Sequence, residues 1–376
     1  MQVLVTGGAG FIGSWLVDRL LSTGHRVTVL DNLSPQIHAQ TPAAALLPLD
    51  HAALRFVQGD VRDRAVLGPL LADCELVVHL AAETGTGQSM YQIGHYYDVN
   101  VQSTAQLFEL VGTQHKQVRR IVLASSRSVY GEGAYLLDGR LVTADPRPAQ
   151  RLAAGHWEPV GPHGEALQLI ATPEDALPRP ASVYAATKLA NEQLGRVFAE
   201  AYSTSVIALR LQNVYGERQS LRNPYTGILS IFSNRMRQHL PINLFEDGLE
   251  SRDFVHVADV VRAITLALDS GLAGFQVLNI GSGVATSVQR IAKLLAERLG
   301  SLSVLQVSGD YRAGDIRHCY ADLAQAGAQL GFRPEVSLEV GLDAFCRWVQ
   351  QQAVLPDHSA EAQRELSARG LGRSRA

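Results

Sequence analysis

The sequence predicts a doubly wound α/β fold, in which helices cover both faces of a parallel sheet. Short apolar runs alternate with segments whose apolar residues recur at helical spacing, which indicates successive strand–helix–strand units with right-handed crossovers. A glycine-rich turn joins the first apolar run to the first helical segment. The chain has 376 residues, of which 46% are hydrophobic and 18% charged, so it can bury a sizeable core and is not mainly disordered.

The first half of the chain supplies most of the predicted elements. The predicted strands are Val3–Thr6, Arg26–Leu30, Leu54–Gln58, Leu76–Leu80, Arg120–Ala124 and Val206–Leu211. The predicted helices between them are Phe11–Thr23, Arg64–Leu71, Asn100–Gln114 and Val183–Tyr202. Because the strands are short and largely apolar, we expect the sheet to be covered on both faces.

The pattern changes in three later segments. Residues 131–182 form an insert that is rich in Pro, Gly and Ala and longer than most connections in a compact domain. Beyond it, the helical pieces Thr226–Gln238, Ala258–Leu268 and Ser287–Leu299 mix with short strands, which predicts a smaller lobe interwoven with the end of the sheet. The polar and charged residues 351–376 predict a flexible tail.

Composition also indicates which partners and which cellular compartment to expect. The formal net charge of −3 provides no basic field, so we expect neither nucleic acid nor a membrane as a partner. The start of the chain lacks the basic and apolar regions of a signal peptide, and no run of about 18 apolar residues indicates a membrane span. Cys74, Cys319 and Cys346 are far apart, which argues against a disulfide framework or a zinc site and favours the reducing cytoplasm.

A turn typical of dinucleotide binding opens the chain. Gly7, Gly10 and Gly13 follow the first strand at three-residue spacing and precede an apolar helix. In such a turn one glycine permits the bend, the next lets backbone N–H groups approach a pyrophosphate, and the third lets helix and strand pack closely. Asp31 ends the second strand, where a carboxylate accepts hydrogen bonds from ribose hydroxyls and repels a 2′-phosphate. No arginine follows in Asp31–Ser34, so we predict NAD rather than NADP.

The ends of the third and fourth strands carry further candidates. Asp60 follows the third strand, where its carboxylate either contacts the adenine amino group or caps the next helix. Ala81 and Ala82 follow the fourth strand, and such small residues let a cofactor lie against the backbone, although they also serve ordinary packing. Ligands of parallel sheets bind at this edge, so these positions extend the predicted binding surface.

A candidate reacting centre combines three side chains from two distant segments. Tyr184 and Lys188 lie four residues apart, on one face of a predicted helix. An ammonium beside a phenol stabilises the phenolate, which can then act as a general base toward a substrate hydroxyl. Ser126, at the end of the fifth strand, can donate a hydrogen bond to an oxygen on which negative charge develops.

These motifs, in this order, resemble a known family. The sequence is similar to the extended short-chain dehydrogenase/reductases, and within them to the NAD-dependent nucleotide-sugar epimerases and dehydratases. The segments that carry the resemblance are GGAGFIG, DNLS, GDVRD, HLAA, SSRSVYG and YAATK, followed by LQNVYG, SRDFVH, NIGSG and RAGD. The resemblance covers about residues 1–350. It implies a Rossmann-type domain that binds NAD and a catalytic triad of Ser126, Tyr184 and Lys188.

The resemblance also implies binding residues, position by position. The residues implied to hold NAD are Gly7, Gly10, Phe11, Ile12, Gly13, Asp31, Asn32, Asp60, Val61, Leu80, Ala81, Ala82, Asn100, Tyr184 and Lys188. The residues implied to hold a sugar nucleotide are Thr84, Ser126, Asn213, Asn243, Leu244, Phe245, Arg252 and Arg312. Of these, Asn213, Arg252 and Arg312 would bind the diphosphate, and residues 243–245 would border the base.

These assignments predict a two-part organisation. Residues 1–212, with the insert 131–182 and a return segment of about 254–281, would form the NAD-binding domain. Residues 213–253 and 282–350 would form the nucleotide-sugar-binding lobe. No metal site is expected.

Two departures from the family pattern bear on the reaction. Sugar-nucleotide 4,6-dehydratases need an acidic pair directly after the catalytic hydroxyl residue, and this sequence has Arg127 and Ser128 there. Since neither is an acid or base at neutral pH, we do not expect dehydration. Glu217 stands where relatives usually have proline, which affects the local turn. Residues 157–194, 218–236 and 245–257 are most similar to bacterial dTDP-L-rhamnose 4-epimerases.

The activity that the resemblance implies is 4-epimerisation of a nucleotide sugar. Tyr184 would take the proton of the sugar 4-hydroxyl as the C4 hydride passes to NAD, and the hydride would return to the other face of the 4-keto sugar. One alternative is a ketoreductase or dehydrogenase on the same triad, from which the keto product leaves. Another is a non-catalytic NAD-binding protein.

Two further expectations concern assembly and the insert. As in relatives, the helices Asn100–Gln114 and Val183–Tyr202 would pair with their copies in a homodimer. The insert joins the Ser126 strand to the Tyr184 helix, so we expect a substrate-side flap, the alternative being a solvated loop distant from the ligand. Its two histidines, His156 and His163, fall short of a zinc ligand set.

Overall fold

The first third of the chain alternates strands and helices, as the sequence predicts. The computed structural model describes residues 1–38, 41–222, 227–312 and 315–357, together with 361, 364–365 and 368–373. In chain order the first elements are β1 (Gln2–Thr6), α1 (Phe11–Ser22), β2 (Arg26–Asp31), α2 (Pro35–His38), a 3-10 turn (Ala43–Ala45), β3 (Leu54–Gln58), α3 (Arg64–Leu71), β4 (Leu76–His79), α4 (Thr86–Ser89), α5 (Ile93–Tyr97), a π-helical turn (Asp98–Gln102), α6 (Ser103–Gln114) and β5 (Arg120–Ser126).

The insert contains regular structure of its own. A 3-10 turn (Arg127–Tyr130) precedes it, and its elements are β6 (Ala134–Leu137), β7 (Arg140–Thr143), α7 (Ala149–Ala153) and β8 (Gln168–Leu169). The strands form a small antiparallel sheet in the order β7-β6-β8. Asp138 and Gly139 have φ angles of 51° and 75°, which suit the two-residue turn of the β6–β7 hairpin.

The rest of the chain completes the main sheet and builds a C-terminal lobe. Its elements are α8 (Val183–Ala201), β9 (Ser205–Leu211), β10 (Asn213–Tyr215), α9 (Ile228–Arg237), β11 (Ile242–Leu244), β12 (Ser251–His256), α10 (Val257–Asp269), β13 (Phe275–Ile280), β14 (Ala285–Ser287), α11 (Val288–Leu299), β15 (Leu305–Val307), β16 (Tyr311–Arg312), β17 (His318–Cys319), α12 (Ala324–Leu330), α13 (Leu338–Gln351) and β18 (Gly372–Arg373). Ser182 caps α8, since its side chain accepts a hydrogen bond from the Ala185 amide.

Seven parallel strands form the main sheet, in the order β13-β9-β5-β4-β1-β2-β3. The predicted doubly wound fold is therefore confirmed, and β13 adds an edge strand that was not predicted. Strand β1 pairs with β2 on one side and β4 on the other, with Val3 opposite both Val27 and Leu76. The chain runs outward in opposite directions from these central strands, which opens a crevice at their carboxyl ends.

Three large buried clusters hold most of the elements together, and a smaller one around Val129 and Cys319 adjoins the insert. Helices α1 and α10 pack on one face of the sheet, through residues such as Leu16 and Ile264. Helices α3, α6 and α8 cover the other face, through residues such as Leu107. The third cluster joins β10, α9, α11 and α13, and Phe232 and Phe345 belong to it. Most residues of this third cluster belong to the two segments that we predicted to form the lobe. The exact boundaries of the lobe stay a prediction.

The described parts of the C-terminal tail contact the body of the protein. Strand β18 pairs with β16 in antiparallel register. The Tyr91 hydroxyl donates to the Glu365 carboxylate at 3.1 Å. The flexibility of the tail stays a prediction. No helix among the described residues is long and apolar enough to cross a membrane.

Candidate active site

The glycine turn after β1 leaves room for a phosphate group. Gly7 has a φ angle of +70°, and a Cβ atom there would lie 2.7 Å from the Ala81 amide nitrogen. A Cβ atom on Gly13 would lie 2.3 Å from the Gly7 carbonyl oxygen. Gly10 provides no side-chain cap for α1, whose first turn has no acidic residue. The N–H groups of this turn therefore suit the pyrophosphate of NAD, whose negative charge the helix N-terminus favours.

The Asp31 carboxylate is held in a fixed position at the end of β2. It accepts hydrogen bonds from the Ala9 amide at 3.0 Å and the Leu33 amide at 2.9 Å. His38 lies 3.7 Å away. A carboxylate offers about four lone-pair sites, so acceptor positions remain for ribose hydroxyls on the cleft side.

Asp31→Asn should weaken the preference for NAD over NADP. The amide has a similar shape but no negative charge to repel the 2′-phosphate, so we expect the ratio of the two dissociation constants to fall on the order of 10-fold or more. Calorimetric titration with both cofactors measures it, and Asp50→Asn, at an exposed position, is the control. An unchanged ratio in Asp31→Asn would show that another group excludes the 2′-phosphate.

The structure excludes one of the two roles considered for Asp60, that of capping the next helix. Asp63, not Asp60, caps α3, since its side chain accepts a hydrogen bond from the Ala65 amide at 2.8 Å. Hydrogen bonds from Arg62 lower the pKa of Asp60 to about 2. Asp60 is thus ionised and lines the cleft, where adenine contact stays our prediction.

Ser126, Tyr184 and Lys188 converge on one wall of the cleft. The Ser126 hydroxyl accepts a hydrogen bond from Ser128 Oγ at 2.9 Å. The Lys188 ammonium donates to the Ala124 carbonyl at 2.8 Å and lies 5.7 Å from the centre of the Tyr184 ring. The strand end of β5 and the first two turns of α8 therefore bring the predicted triad together.

Burial controls the ionisation of this centre. It raises the pKa of the Tyr184 phenol, while a hydrogen bond with Ser126 and the positive charge of Arg127 lower it. Burial also lowers the pKa of Lys188 to about 8. A lysine with this pKa is still mostly protonated at neutral pH, so it keeps positive charge beside the phenol.

The cleft has a volume of about 820 Å³ and contains most of the predicted site residues. The predicted residues that line it are Gly7, Gly10, Phe11, Ile12, Gly13, Asp31, Asn32, Asp60, Val61, Leu80, Ala81, Ala82, Thr84, Ser126, Tyr184, Lys188 and Asn213. Buried polar atoms without a partner among the described residues, Asn213 Oδ1 and both side-chain polar atoms of Gln212, belong to this lining. Such atoms are suited to a polar ligand.

Asn100 lies behind the cleft wall rather than on it. Its side chain is bonded to both the amide and the carbonyl of Glu83 and to the Thr187 hydroxyl, at 2.8 to 3.1 Å. It therefore ties the chain after β4 to the second turn of α8, next to Lys188.

Of the residues predicted to bind the rest of the sugar nucleotide, those whose side chains the structure describes do not line the cleft; they are Asn243, Leu244, Phe245 and Arg252. The Arg252 guanidinium donates to the carbonyls of Arg317 and Ile316 at 2.9 and 2.7 Å. Leu244 is 1% exposed and packs in the lobe core, and Asn243 donates to Asp310. Phe245 is the next residue along the chain, and the Arg312 side chain lies outside the described parts of the structure. Their binding roles stay predictions.

The structure adds cleft residues that were not predicted. They include Glu83, Arg127, Gln212, Arg218 and Trp348. Trp348 comes from α13, far along the chain, and no local pattern marks it.

The turn at Glu217 is built without the usual proline. Gly216 and Arg218 have φ angles of 147° and 69°. The Glu217 carboxylate lies 3.1 Å from His256 Nε2, and its carbonyl accepts a hydrogen bond from Trp15.

Comparison with known proteins identifies the family. Residues 3–281 match the model of the NAD dependent epimerase/dehydratase family. The chain is 42% identical to the dTDP-L-rhamnose 4-epimerase of Burkholderia thailandensis, over 93% of this chain and 95% of that protein. Its fold matches MoeE5 in complex with UDP-glucuronic acid and NAD (TM-score 0.73, 34% identity, 93% of this chain and 99% of the other).

A second solved relative is the UDP-glucuronic acid 4-epimerase of Bacillus cereus in complex with UDP-glucuronic acid and NAD. Its TM-score is 0.77 and its identity 28%, over 93% of this chain and 99% of the other. The family match spans well over half of the chain, and the glycine turn and the reacting centre are both present. This protein therefore belongs to the NAD-dependent epimerase/dehydratase family, with NAD as its cofactor.

Proposed function

We propose that this NAD-dependent nucleotide-sugar 4-epimerase acts on dTDP-L-rhamnose and inverts its C4 by transient oxidation. The convergence of Ser126, Tyr184 and Lys188 in the cleft that contains the glycine turn carries the activity. The sugar nucleotide is proposed from the similarity to the Burkholderia thailandensis enzyme, which extends over nearly the whole of both chains.

Tyr184 is placed to move the proton of the sugar 4-hydroxyl. Its phenolate takes that proton as C4 is oxidised and gives it back after inversion, so the protein ends each cycle in its starting state. Ser126 donates a hydrogen bond to the same sugar oxygen, and Lys188 keeps positive charge beside the phenol. Bound NAD supplies the hydride acceptor at C4 and, in the return step, the hydride donor.

Inversion requires the 4-keto sugar to present its other face. A nucleotide diphosphate anchored at a distance from the reacting centre would permit this rotation. Asn213 lines the cleft wall, and its side-chain amide group can donate to a phosphate oxygen, so it is suited to such an anchor. Dehydration is disfavoured because Arg127 and Ser128 follow Ser126, and Ser128 is already bonded to it.

Incubation with a panel of sugar nucleotides tests the proposal. We expect purified protein to interconvert dTDP-L-rhamnose and its C4 epimer, seen by NMR, without net change in NADH absorbance. Inversion of UDP-glucose or UDP-glucuronic acid instead would reassign the substrate. A product formed with stoichiometric NADH consumption would make the protein a ketoreductase, and absence of any turnover would leave only NAD binding.

We propose that the protein is a homodimer that pairs through α8 and, in place of the predicted helix α6, through α5. Most side chains of α6 are buried within the chain, which leaves few of them for a partner. Ile93 and Tyr97 on α5 are 55% and 57% exposed, and Val197 on α8 is 64% exposed. Light scattering at micromolar concentration should give twice the chain mass of 40.7 kDa. Val197→Glu should shift the mass toward the monomer, and Val340→Glu, equally exposed on α13 at 61%, should not. A monomeric wild-type protein would contradict the proposal.

We propose that the insert is a substrate-side flap anchored to the lobe. The insert residue Arg147 pairs with Glu246 at 2.8 Å, and both side chains are buried. Glu158 pairs with Arg317, a lobe arginine that is 1% exposed on its side chain. The anchors place one end of the insert beside the segment predicted to border the base.

Sugar nucleotide should therefore slow hydrogen exchange within residues 144–167 several-fold, because an ordered flap opens less often. Arg147→Met should remove an anchor and weaken sugar-nucleotide binding while NAD binding is kept. Equal exchange with and without substrate would identify a solvated bystander loop.

We also propose a cytoplasmic location. Cys74, Cys319 and Cys346 are all buried as free thiols, which suits a reducing compartment.

A further inference from the structure

Arg127 has no partner of its own in the described structure, although it lies in the cleft directly after Ser126. Among the described residues, no carbonyl or carboxylate accepts a hydrogen bond from its guanidinium. Other arginines of the protein have acidic partners: Arg210 is paired with Glu192, and Arg317 is paired with Asp247. The half-buried Arg127 is thus a cation whose hydrogen-bonding groups are not used by the protein.

The acidic groups that face Arg127 are engaged elsewhere. They are Asp315 and Glu132, and the Cys319 thiol also faces it. Glu132 accepts hydrogen bonds from the amides of Arg317 and His318. Asp315 accepts from Arg252 and from the Ile316 amide. Burial lowers the pKa of Arg127, and the positive charge of Arg252 acts in the same direction.

A guanidinium does not lose its proton in proteins, so Arg127 keeps its charge in this partly exposed position. None of its nitrogen atoms is among the fully buried polar atoms that lack a partner in the described structure, so its N–H groups are open to the cleft, where a ligand can accept hydrogen bonds from them. The rigid fork of N–H groups suits two oxygen atoms on adjacent atoms of a ligand. The hydroxyl oxygens on two adjacent ring carbons of a sugar meet this requirement.

Arg127 lies between groups of the lobe and the Tyr184 phenol. Lobe groups from β12, from β17 and from residue 315 act on it, together with Glu132 of the insert, and its own charge acts on the Tyr184 phenol. The other groups around that phenol are Ser126 from β5, Lys188 from α8, and Tyr96 from α5.

We propose that Arg127 is a catalytic residue that binds the sugar, its guanidinium donating hydrogen bonds to the 4-oxygen and to the hydroxyl on an adjacent carbon. The inference rests on the proposed function for the identity of the sugar. When the 4-hydroxyl loses its proton to the Tyr184 phenolate, Arg127 stabilises the negative charge that develops on the 4-oxygen. Arg127 itself neither gains nor loses a proton.

The test compares Arg127→Met, which removes the charge, with Arg127→Lys, which keeps it without the fork. The holoenzyme of each is assayed on the sugar nucleotide that the wild type epimerises. We expect kcat/KM to fall about 10- to 100-fold in Arg127→Met, as for loss of a hydrogen bond from a charged group, and less in Arg127→Lys. NAD affinity should be unchanged. The control is Arg26→Met, at an exposed position at the opposite end of the sheet.

A second arm needs no substrate. The ionisation of Tyr184 is read from ultraviolet absorbance, as the difference between each holoenzyme and the same protein with Tyr184→Phe. Arg127→Met should raise the pKa of Tyr184 by about one unit, and Arg127→Lys should leave it near the wild-type value.

The outcomes separate the two proposals. Wild-type kcat/KM in both variants, or an unshifted Tyr184 titration in Arg127→Met, would overturn the role of Arg127. If the wild type does not act on dTDP-L-rhamnose, the substrate proposal fails, and the spectroscopic arm together with the sugar that is turned over still decides the role of Arg127. Should Arg127→Met fail to fold, Arg127→Gln takes its place in both arms, with the same expected results.

Discussion

Tyr184→Phe should reduce turnover about 10²- to 10⁴-fold, the usual contribution of a positioned general base, while NAD remains bound. The variant keeps the aromatic ring, so the packing at the start of α8 and the position of Lys188 over the ring should persist. What it removes is the one oxygen that can take and return the proton of the 4-hydroxyl. Loss should therefore appear in kcat, with little change in the affinity for sugar nucleotide.

The measurement is the initial rate of epimer formation by NMR, together with the NAD content of the purified protein. Tyr202→Phe is a matched control, because Tyr202 lies at the end of the same helix and is 43% exposed. If Tyr184→Phe retained more than a tenth of the wild-type rate, another group would have to act as the base.

The central strands are the clearest in the sequence, because their residues are mostly apolar. Val3–Thr6 and Leu76–His79 are buried throughout, since the sheet is covered on both faces. Strand β13 (Phe275–Ile280) escaped this criterion because Gln276 and Asn279 interrupt it. The Asn279 side chain can be buried because it accepts a hydrogen bond from the Tyr130 hydroxyl and donates one to the Thr172 carbonyl. These partners are distant in sequence, so they come together only when the chain folds.

The insert shows a local signal that was present but not used. Its Asp138-Gly139 pair, between two short runs rich in apolar residues, is typical of a two-residue hairpin turn. The high Pro and Gly content of the surrounding segment obscured it. The ion pairs that fasten the insert to the lobe could not be predicted, because Arg147 and Glu246 are 99 residues apart.

The candidate site likewise contains residues that local motifs predict and residues whose role depends on the folded structure. The glycine turn, Asp31, Ser126, Tyr184 and Lys188 belong to compact motifs, and the structure brings them to one cleft. Whether an arginine is free for a ligand depends instead on its neighbours in space. Arg252 is bonded to backbone carbonyls, whereas Arg127 has no partner among the described residues, and nothing in their sequence surroundings distinguishes them.

Arg210→Met should destabilise the protein by about 3–5 kcal/mol, the range observed when one partner of a buried ion pair is removed. Arg210 and Glu192 are both nearly inaccessible, at 5% and 3% side-chain exposure, and two hydrogen bonds of 3.0 and 2.7 Å join them. Burial lowers the pKa of Arg210, but the hydrogen bonds with Glu192 raise it above its ordinary value overall. Without Arg210, the Glu192 carboxylate stays buried, and the Ser125 hydroxyl, at 2.5 Å, is its one remaining side-chain partner in the part of the chain that the structure describes.

The loss of stability in Arg210→Met should be measured as a shift of the urea unfolding transition relative to the wild type. Arg64→Met is the matched control, because it breaks an ion pair with Glu109 whose side chains are 46% and 57% exposed, and exposed pairs contribute about 0–1 kcal/mol. Adding Glu192→Leu to Arg210→Met should recover much of the stability, since no charge is then left buried. Equal shifts in Arg64→Met and Arg210→Met would contradict the prediction. Glu192 also accepts a hydrogen bond from Ser125, which adjoins Ser126, and it lies one turn beyond Lys188 on α8. Arg210 therefore holds in place a carboxylate that connects the strand and the helix of the triad, so the destabilised variant should lose turnover before it loses NAD.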